Sequence, residues 1–178
     1  WIQSVFHGFG SSWVIPETGI LLNNRLTGFS LDPNSPNIIA PGKRPAHTLN
    51  AFTVVNADGT LNIVGGTPGA NIQVQSNLQL IVNLVDLKMN VQEAIEAPRW
   101  QHLKEAGQSS EEETGSGVLE IENRVSPEVL EGLRAKGHEV KAIAPWGHGS
   151  SVQLMQILPN GTLAFGSDPR CEGQASGI

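Results

Sequence analysis

Residues 71–89 carry Ile72, Leu78, Ile81, Val82, Leu84 and Val85 at mixed helical spacings, so one long helix is expected there. Its apolar face is wide, and such a helix belongs sandwiched in a core rather than lying on a surface. Directly before it stands Gly65-Gly66-Thr67-Pro68-Gly69-Ala70. Backbone N–H groups at a helix N-terminus lack intrahelical acceptors and favour negative charge, so this turn is the leading candidate for chemistry. Spacing alone leaves three readings open. An ordinary tight turn is the commonest, an oxyanion-stabilising turn is the second, and a phosphate cradle is the third. The last is disfavoured because no Gly-Lys-Ser/Thr follows and the dinucleotide spacing is missing.

Around this segment the chain reads as short strands and helices. Residues 12–22 are apolar and β-branched, broken by Pro16 and Gly19, which predicts two short strands joined by a turn. Residues 32–45 contain Pro33, Pro36, Pro41 and Pro45 and form a long surface loop. Residues 51–56 and 60–65 flank Asp58-Gly59, a hairpin signal. A second helix should begin at Asn90, with Glu93 completing a capping box, and stop before Pro98. Residues 108–117 are polar and Gly/Ser-rich, hence an exposed loop.

Residues 118–122 alternate as a strand does, and Ser126-Pro127-Glu128 opens a helix, with Ser126 as cap, that closes at Gly137. Residues 140–143, 151–158 and 162–165 are expected strands, the last two joined by Pro159-Asn160-Gly161. The order favours an α+β layered sandwich over an alternating parallel fold, and no repeat or second composition regime divides residues 1–178, so one domain is expected.

Composition excludes several functions. A net charge of −6 opposes binding to a polyanion, so no nucleic-acid partner is expected. No apolar run approaches the ~20 residues of a membrane-spanning helix, and the compartment stays open. His7, His47, His102, His138 and His148 lack metal-ligand spacing, so neither metal nor cofactor is expected. Ser11, Ser12, Ser150 and Ser151 sit in no Gly-x-Ser-x-Gly elbow, and the single Cys171 has no catalytic signature around it.

Five phrases in order carry a resemblance: FGSSWVIPETGILLNN at 9–24, PGKRP at 41–45, GGTPGANI at 65–72, EAPRW at 96–100 and GSDPR at 166–170. Together they resemble the small subunit of γ-glutamyltransferases, nearly end to end. The resemblance implies the N-terminal nucleophile hydrolase fold, a four-layer αββα sandwich, here partial. It implies a precursor that cuts itself to expose a threonine nucleophile whose own α-amine is the base, with the large subunit of the same precursor as partner. A chain opening on Trp1 reads as a fragment that begins after this threonine and is inactive alone.

Carried over by position, the resemblance implies that Ser4 hydrogen-bonds the nucleophile and that the amides of Gly69 and Ala70 form the oxyanion hole. The positions that hold the substrate depart from the family pattern. Phe6 stands where the family has Asn or Glu, Gly28 where it has an Asp that pairs with an α-ammonium, and Arg25 where it has a neutral or acidic residue. The family's Ser-Ser pair is His47-Thr48. A cation in place of an Asp favours an anionic acyl group without an ammonium, so the expected substrate is a small acyl amide of an acidic acid, as for oxamate- or glutaryl-type amidases. The alternatives are an ordinary γ-glutamyl enzyme with a rearranged pocket, a non-catalytic binding module and a phosphate-binding domain. Arg99, Asp168 and Arg170 are expected to pair as buried structural charges, and Gly149-Ser150-Ser151 reads as a small-residue turn.

Overall fold

The computed structural model describes residues 3–103 and 117–174. They fall into two compact units, Trp1–Leu49 and Asn50–Ile178.

In Trp1–Leu49 the expected pair of short strands is present. β1 (Val14–Ile15) and β2 (Ile20–Leu21) pair antiparallel, Val14 opposite Leu21. Gly19 turns the chain at φ +68°, its N–H reaching the Ile15 carbonyl at 2.9 Å. A single 3-10 turn, Arg25–Gly28, follows. The proline-rich loop is irregular but tied. Asn37 donates to the Gly28 carbonyl at 2.5 Å and accepts from the Ala46 N–H at 3.0 Å, and Lys43 Nζ donates to the carbonyls of Pro36 and Ile38.

Among its described residues Asn50–Ile178 holds two sheets and three α-helices. β3 (Phe52–Val55) and β4 (Leu61–Gly66) form the hairpin that Asp58-Gly59 signals; Gly59 adopts φ +84° and the Asp58 carboxylate accepts from the Thr60 N–H at 2.9 Å. After α1 (Ile72–Ile81) and α2 (Val91–Glu96) comes β5 (Trp100–Leu103), then β6 (Val118–Glu122), α3 (Pro127–Ala135), β7 (Glu139–Ile143), β8 (Gln153–Ile157) and β9 (Leu163–Ser167). One sheet has the antiparallel order β3-β4-β8-β9. The other has the order β5-β6-β7, with β6 and β7 parallel and joined through α3. The mixture of helices and sheets is as expected. The core lies where Ile63 and Leu154 of the larger sheet, with Val152, meet Leu80, Leu84, Val91, Ala94 and Ile95. Full burial of each large side chain stabilises by roughly 1.5–3 kcal/mol.

Local capping chemistry is confirmed at α2, where the Asn90 side chain accepts from the Glu93 N–H and the Glu93 carboxylate accepts from the Asn90 N–H, both at 2.9 Å. At α3 the expected Ser126 cap is corrected: its side chain makes no capping bond, and the backbone carbonyl takes the Val129 N–H instead. Gly137 closes α3 at φ +90°, with the His138 N–H returning to the Leu133 carbonyl.

Two expectations fail for physical reasons. The helix over 71–89 is α-helical only to Ile81, and Val82–Asp86 is a π-helical turn in which the Leu87 N–H reaches back to the Val82 carbonyl. Nor is its inner face the apolar one. Gln73, Ser76 and Asn77 are buried beside Leu80, while Val74 and Leu78 are exposed. Two of the polar side chains find partners there: the Ser76 hydroxyl pairs with that of Ser150 at 2.8 Å and Asn77 donates to the Asn50 carbonyl at 3.1 Å. Strand β5 was not expected, and α1 explains it. Gln75 accepts from the His102 N–H and donates to its carbonyl, at 2.7 and 3.0 Å; Gln79 does the same for Trp100, at 3.0 and 2.8 Å. Two side-chain amides thus replace a neighbouring strand along the edge of β5. The expected loop at 108–117 lies outside the described residues, save Gly117. Among the described residues no helix is long and apolar enough to cross a membrane.

Candidate active site

In Trp1–Leu49 the structure gathers three of the five residues expected to hold the acyl group. The Arg25 guanidinium stacks 4.0 Å from the centroid of the Phe6 ring, and its Nη1 donates to Thr48 Oγ1 at 3.1 Å. Phe6 adopts φ +81°, a left-handed conformation that few side chains take. The Ser4 hydroxyl supports it by accepting the Phe6 N–H at 3.0 Å, so Ser4 joins the same stretch. Asn24 adds a second tie by accepting the His7 N–H at 3.0 Å. A guanidinium fixed on one face by a ring and at one edge by a hydroxyl keeps its other donors for a ligand. Among the described residues Arg25 has no carboxylate partner.

Gly28 closes the 3-10 turn, and a Cβ there would stand 2.9 Å from the Ala46 carbonyl oxygen. No acidic side chain fits at that position while the loop keeps its course. His47 is exposed, and among the described residues it makes no hydrogen bond or ion pair that would bring it to the cluster.

In Asn50–Ile178 the turn between β4 and α1 has an unusual backbone. Gly69 adopts φ +123° and Ala70 φ +49°. A Cβ at Gly69 would lie 2.8 Å from Ile72 Cγ1 and 3.1 Å from Ser150 Cβ, so only glycine fits. Left-handed Ala70 costs on the order of 1 kcal/mol, which the surroundings must hold in place. The carbonyls of both residues accept from the first turn of α1, Gly69 from Ile72 and Ala70 from Gln73. Among the described residues neither the Gly69 nor the Ala70 N–H donates to any acceptor. Two adjacent uncommitted amides at a helix N-terminus are suited to a developing negative charge.

Behind this turn lies a buried ionic network. Arg99, 2% exposed, pairs with Asp168 and donates to the carbonyls of Ser150 and Ile95 at 2.7 and 2.9 Å. Arg170 binds Asp168 at 3.0 Å and grips Glu122 with two donors at 2.6 Å. Arg124 reaches Glu122 at 2.7 Å and stacks 3.5 Å from the Trp146 centroid. The expected pairing of Arg99, Asp168 and Arg170 is therefore present. Glu122 was missed, because in the alternating stretch VLEIE it reads as a solvent-facing strand residue. No local signal separated it from Glu120, which stands two residues earlier on the same face of the strand. Burial pushes the Glu122 carboxyl up, but the hydrogen bonds from Arg170 and Arg124 outweigh it and hold it down to about 2.

His148 completes the network. Burial, and after it the Arg99 charge, push its imidazole below the ordinary value, so it is neutral. Its Nδ1 accepts the Ser150 N–H at 3.2 Å, which places the proton on Nε2. The Ser150 hydroxyl is paired instead with that of Ser76 at 2.8 Å. Ser150 and His148 therefore do not form a nucleophile-base pair. Among the described residues no group of three or more His, Cys, Asp or Glu side chains is placed to hold a metal ion. Cys171 is free and exposed.

Known proteins match the whole chain. A family profile described as gamma-glutamyltranspeptidase covers residues 1–178. The oxamate amidohydrolase proenzyme of Klebsiella pneumoniae is 38% identical over 99% of this chain and 32% of that protein. The glutathione hydrolase proenzyme of Escherichia coli is 36% identical over 91% of this chain and 27% of that protein. Among solved structures, a cephalosporin acylase from Bacillus halodurans superposes with a TM-score of 0.80 at 34% identity, over 97% of this chain and 30% of that one. The chain spans 32% and 27% of the length of these two curated relatives.

Proposed function

The chain belongs to the γ-glutamyltranspeptidase family, and on that premise we propose that residues 1–178 form one continuous part of the small, catalytic-side subunit of an N-terminal nucleophile amidase. The two larger sheets are read as part of a four-layer αββα sandwich that a large subunit of the same precursor completes. The nucleophile is read as the N-terminal threonine that processing of such a precursor exposes. Its hydroxyl attacks the acyl carbonyl, its own α-amine takes the proton, and the Ser4 hydroxyl orients it. The Gly69 and Ala70 amides stabilise the oxyanion. Collapse of the tetrahedral intermediate expels the amine, which takes up the proton, and water or a second amine then cleaves the acyl-enzyme.

The acyl group is small and acidic, and one observation carries this. Arg25, seated on Phe6 and Thr48 and without a carboxylate partner among the described residues, offers a fixed cation three residues before Gly28, the position at which the family's aspartate would pair with an α-ammonium. The closed space at Gly28 supports it, since an aspartate is absent and has no room. The same relatives include both amidohydrolase and glutathione hydrolase names, so substrate preference has to be measured. The test is to assay the full-length protein on glutaryl- and γ-glutamyl-p-nitroanilide side by side. The glutaryl compound should have the higher kcat/KM, and Arg25→Ala should remove that preference. A clear preference for the γ-glutamyl compound overturns the reading.

A further inference from the structure

Ser150 joins the turn of Gly69 and Ala70 to the buried ionic network. Its Cβ lies 3.1 Å from where a Cβ on Gly69 would stand, so its side chain packs directly on the turn. Each of its polar atoms is committed. The hydroxyl pairs with Ser76 Oγ at 2.8 Å, the carbonyl accepts from Arg99 at 2.7 Å, and the N–H donates to His148 Nδ1 at 3.2 Å. Ser76 and Ser150 are both essentially without solvent contact. Ser76 sits in the second turn of α1, the helix that the glycine turn opens.

The turn needs such support. Ala70 is held in a left-handed conformation it does not prefer, and two amides with no acceptor among the described residues have no bond of their own to fix their direction. We infer that the Ser76–Ser150 hydroxyl pair is a positioning device for the oxyanion amides. By tying α1 to residue 150, it fixes the start of the helix against the surface on which Gly69 rests. The direction of the Gly69 and Ala70 N–H groups follows. This rests on the reading of those two amides as the oxyanion hole.

The test uses the full-length protein and whichever of glutaryl- or γ-glutamyl-p-nitroanilide it cleaves faster. In Ser76→Ala or Ser150→Ala alone, the remaining hydroxyl is buried without its partner, so both Tm and kcat should fall. The double variant S76A/S150A removes both groups and should recover Tm. Its kcat should stay depressed about 10- to 100-fold, with KM within about threefold, because only the transition-state contact is misdirected. A purely structural pair would recover kcat along with Tm, and that result overturns the inference. Ala70→Val tests the underlying reading independently, since Ala70 is exposed and a β-branched residue at positive φ displaces the amide without disturbing the core. If Ala70→Val loses kcat while S76A/S150A keeps it, the oxyanion reading stands and the positioning role falls. If Ala70→Val keeps kcat, the reading itself is wrong and the inference goes with it.

Discussion

The two compact units keep their candidate residues in place by opposite means. No described residue of Trp1–Leu49 is buried, and Phe9, Trp13, Leu26 and Leu31 are mostly exposed. Its order comes from turns, two-residue strands and side chains such as Asn24 and Asn37 that bond to backbone. Asn50–Ile178 has an apolar core and an ionic network in which the side chains of Arg99, Glu122, Asp168 and Arg170 are buried. The residues expected to select the acyl group sit on the first, and the amides expected to stabilise charge sit on the second. A specificity site on tied loops can change a residue without disturbing a core, whereas a turn that must hold a strained backbone needs a scaffold that does not yield.

The sharpest way to break this contrast is Glu122→Ala. Removing it takes from the buried Arg170 side chain and the partly exposed Arg124 their shared anion, leaving Arg170 with Asp168 as its carboxylate partner, and unfolding free energy should fall by about 3–5 kcal/mol in a denaturant titration. A loss under about 1 kcal/mol would mean the network is incidental. Acid should act through the same group. The folded-state value of Glu122, about 2, lies below its unfolded value of 4.5, so its contribution is fully present above pH 4.5 and is lost as pH falls towards 2. The shift corresponds to about 3 kcal/mol, and Glu122→Gln should flatten the stability profile measured between pH 5 and pH 2.

A smaller effect is expected at the edge of β5. Gln75→Ala together with Gln79→Ala should cost about 1–2 kcal/mol and speed amide exchange at Trp100 and His102, whose N–H groups lose their acceptors. The smallest effect sharpens the comparison from the other side. Arg25→Ala should change stability by no more than about 0.5 kcal/mol, because the guanidinium contributes to no core. If it unfolds the protein instead, Trp1–Leu49 is not the loosely tied unit described above.

What was legible in the sequence was local. Asp58-Gly59, the Asn90/Glu93 box and Gly137 each act within a few residues, and each was found where expected. Strand β5 was illegible because its partners are distant in the sequence on both edges, β6 on one and the glutamines of α1 on the other. The inner face of α1 was misread for the same reason: Ser76 and Asn77 are buried against partners far away in the sequence, Ser150 and Asn50, and no periodicity encodes that. At the site, the motifs pointed to Arg25, Gly69, Arg99, Asp168 and Arg170. Glu122, His148 and the Ser76–Ser150 pair depend on a fold that brings residues 76, 122 and 150 together.

The pair of glutamines on α1 has a geometric consequence. Four residues of helix rise about 6 Å, and two residues of strand advance about 6.8 Å. The two lattices are nearly commensurate over one step, which is why Gln75 and Gln79 meet His102 and Trp100 in the same way. The match cannot be shifted, because a slip of one residue along either element would present both amides to the wrong groups. Nor does it extend further, for Asn83, one step on, turns to the Ala94 carbonyl. The helix therefore engages the strand as a key with two teeth, locked against both sliding and rotation, and the turn at its head inherits that fixed bearing.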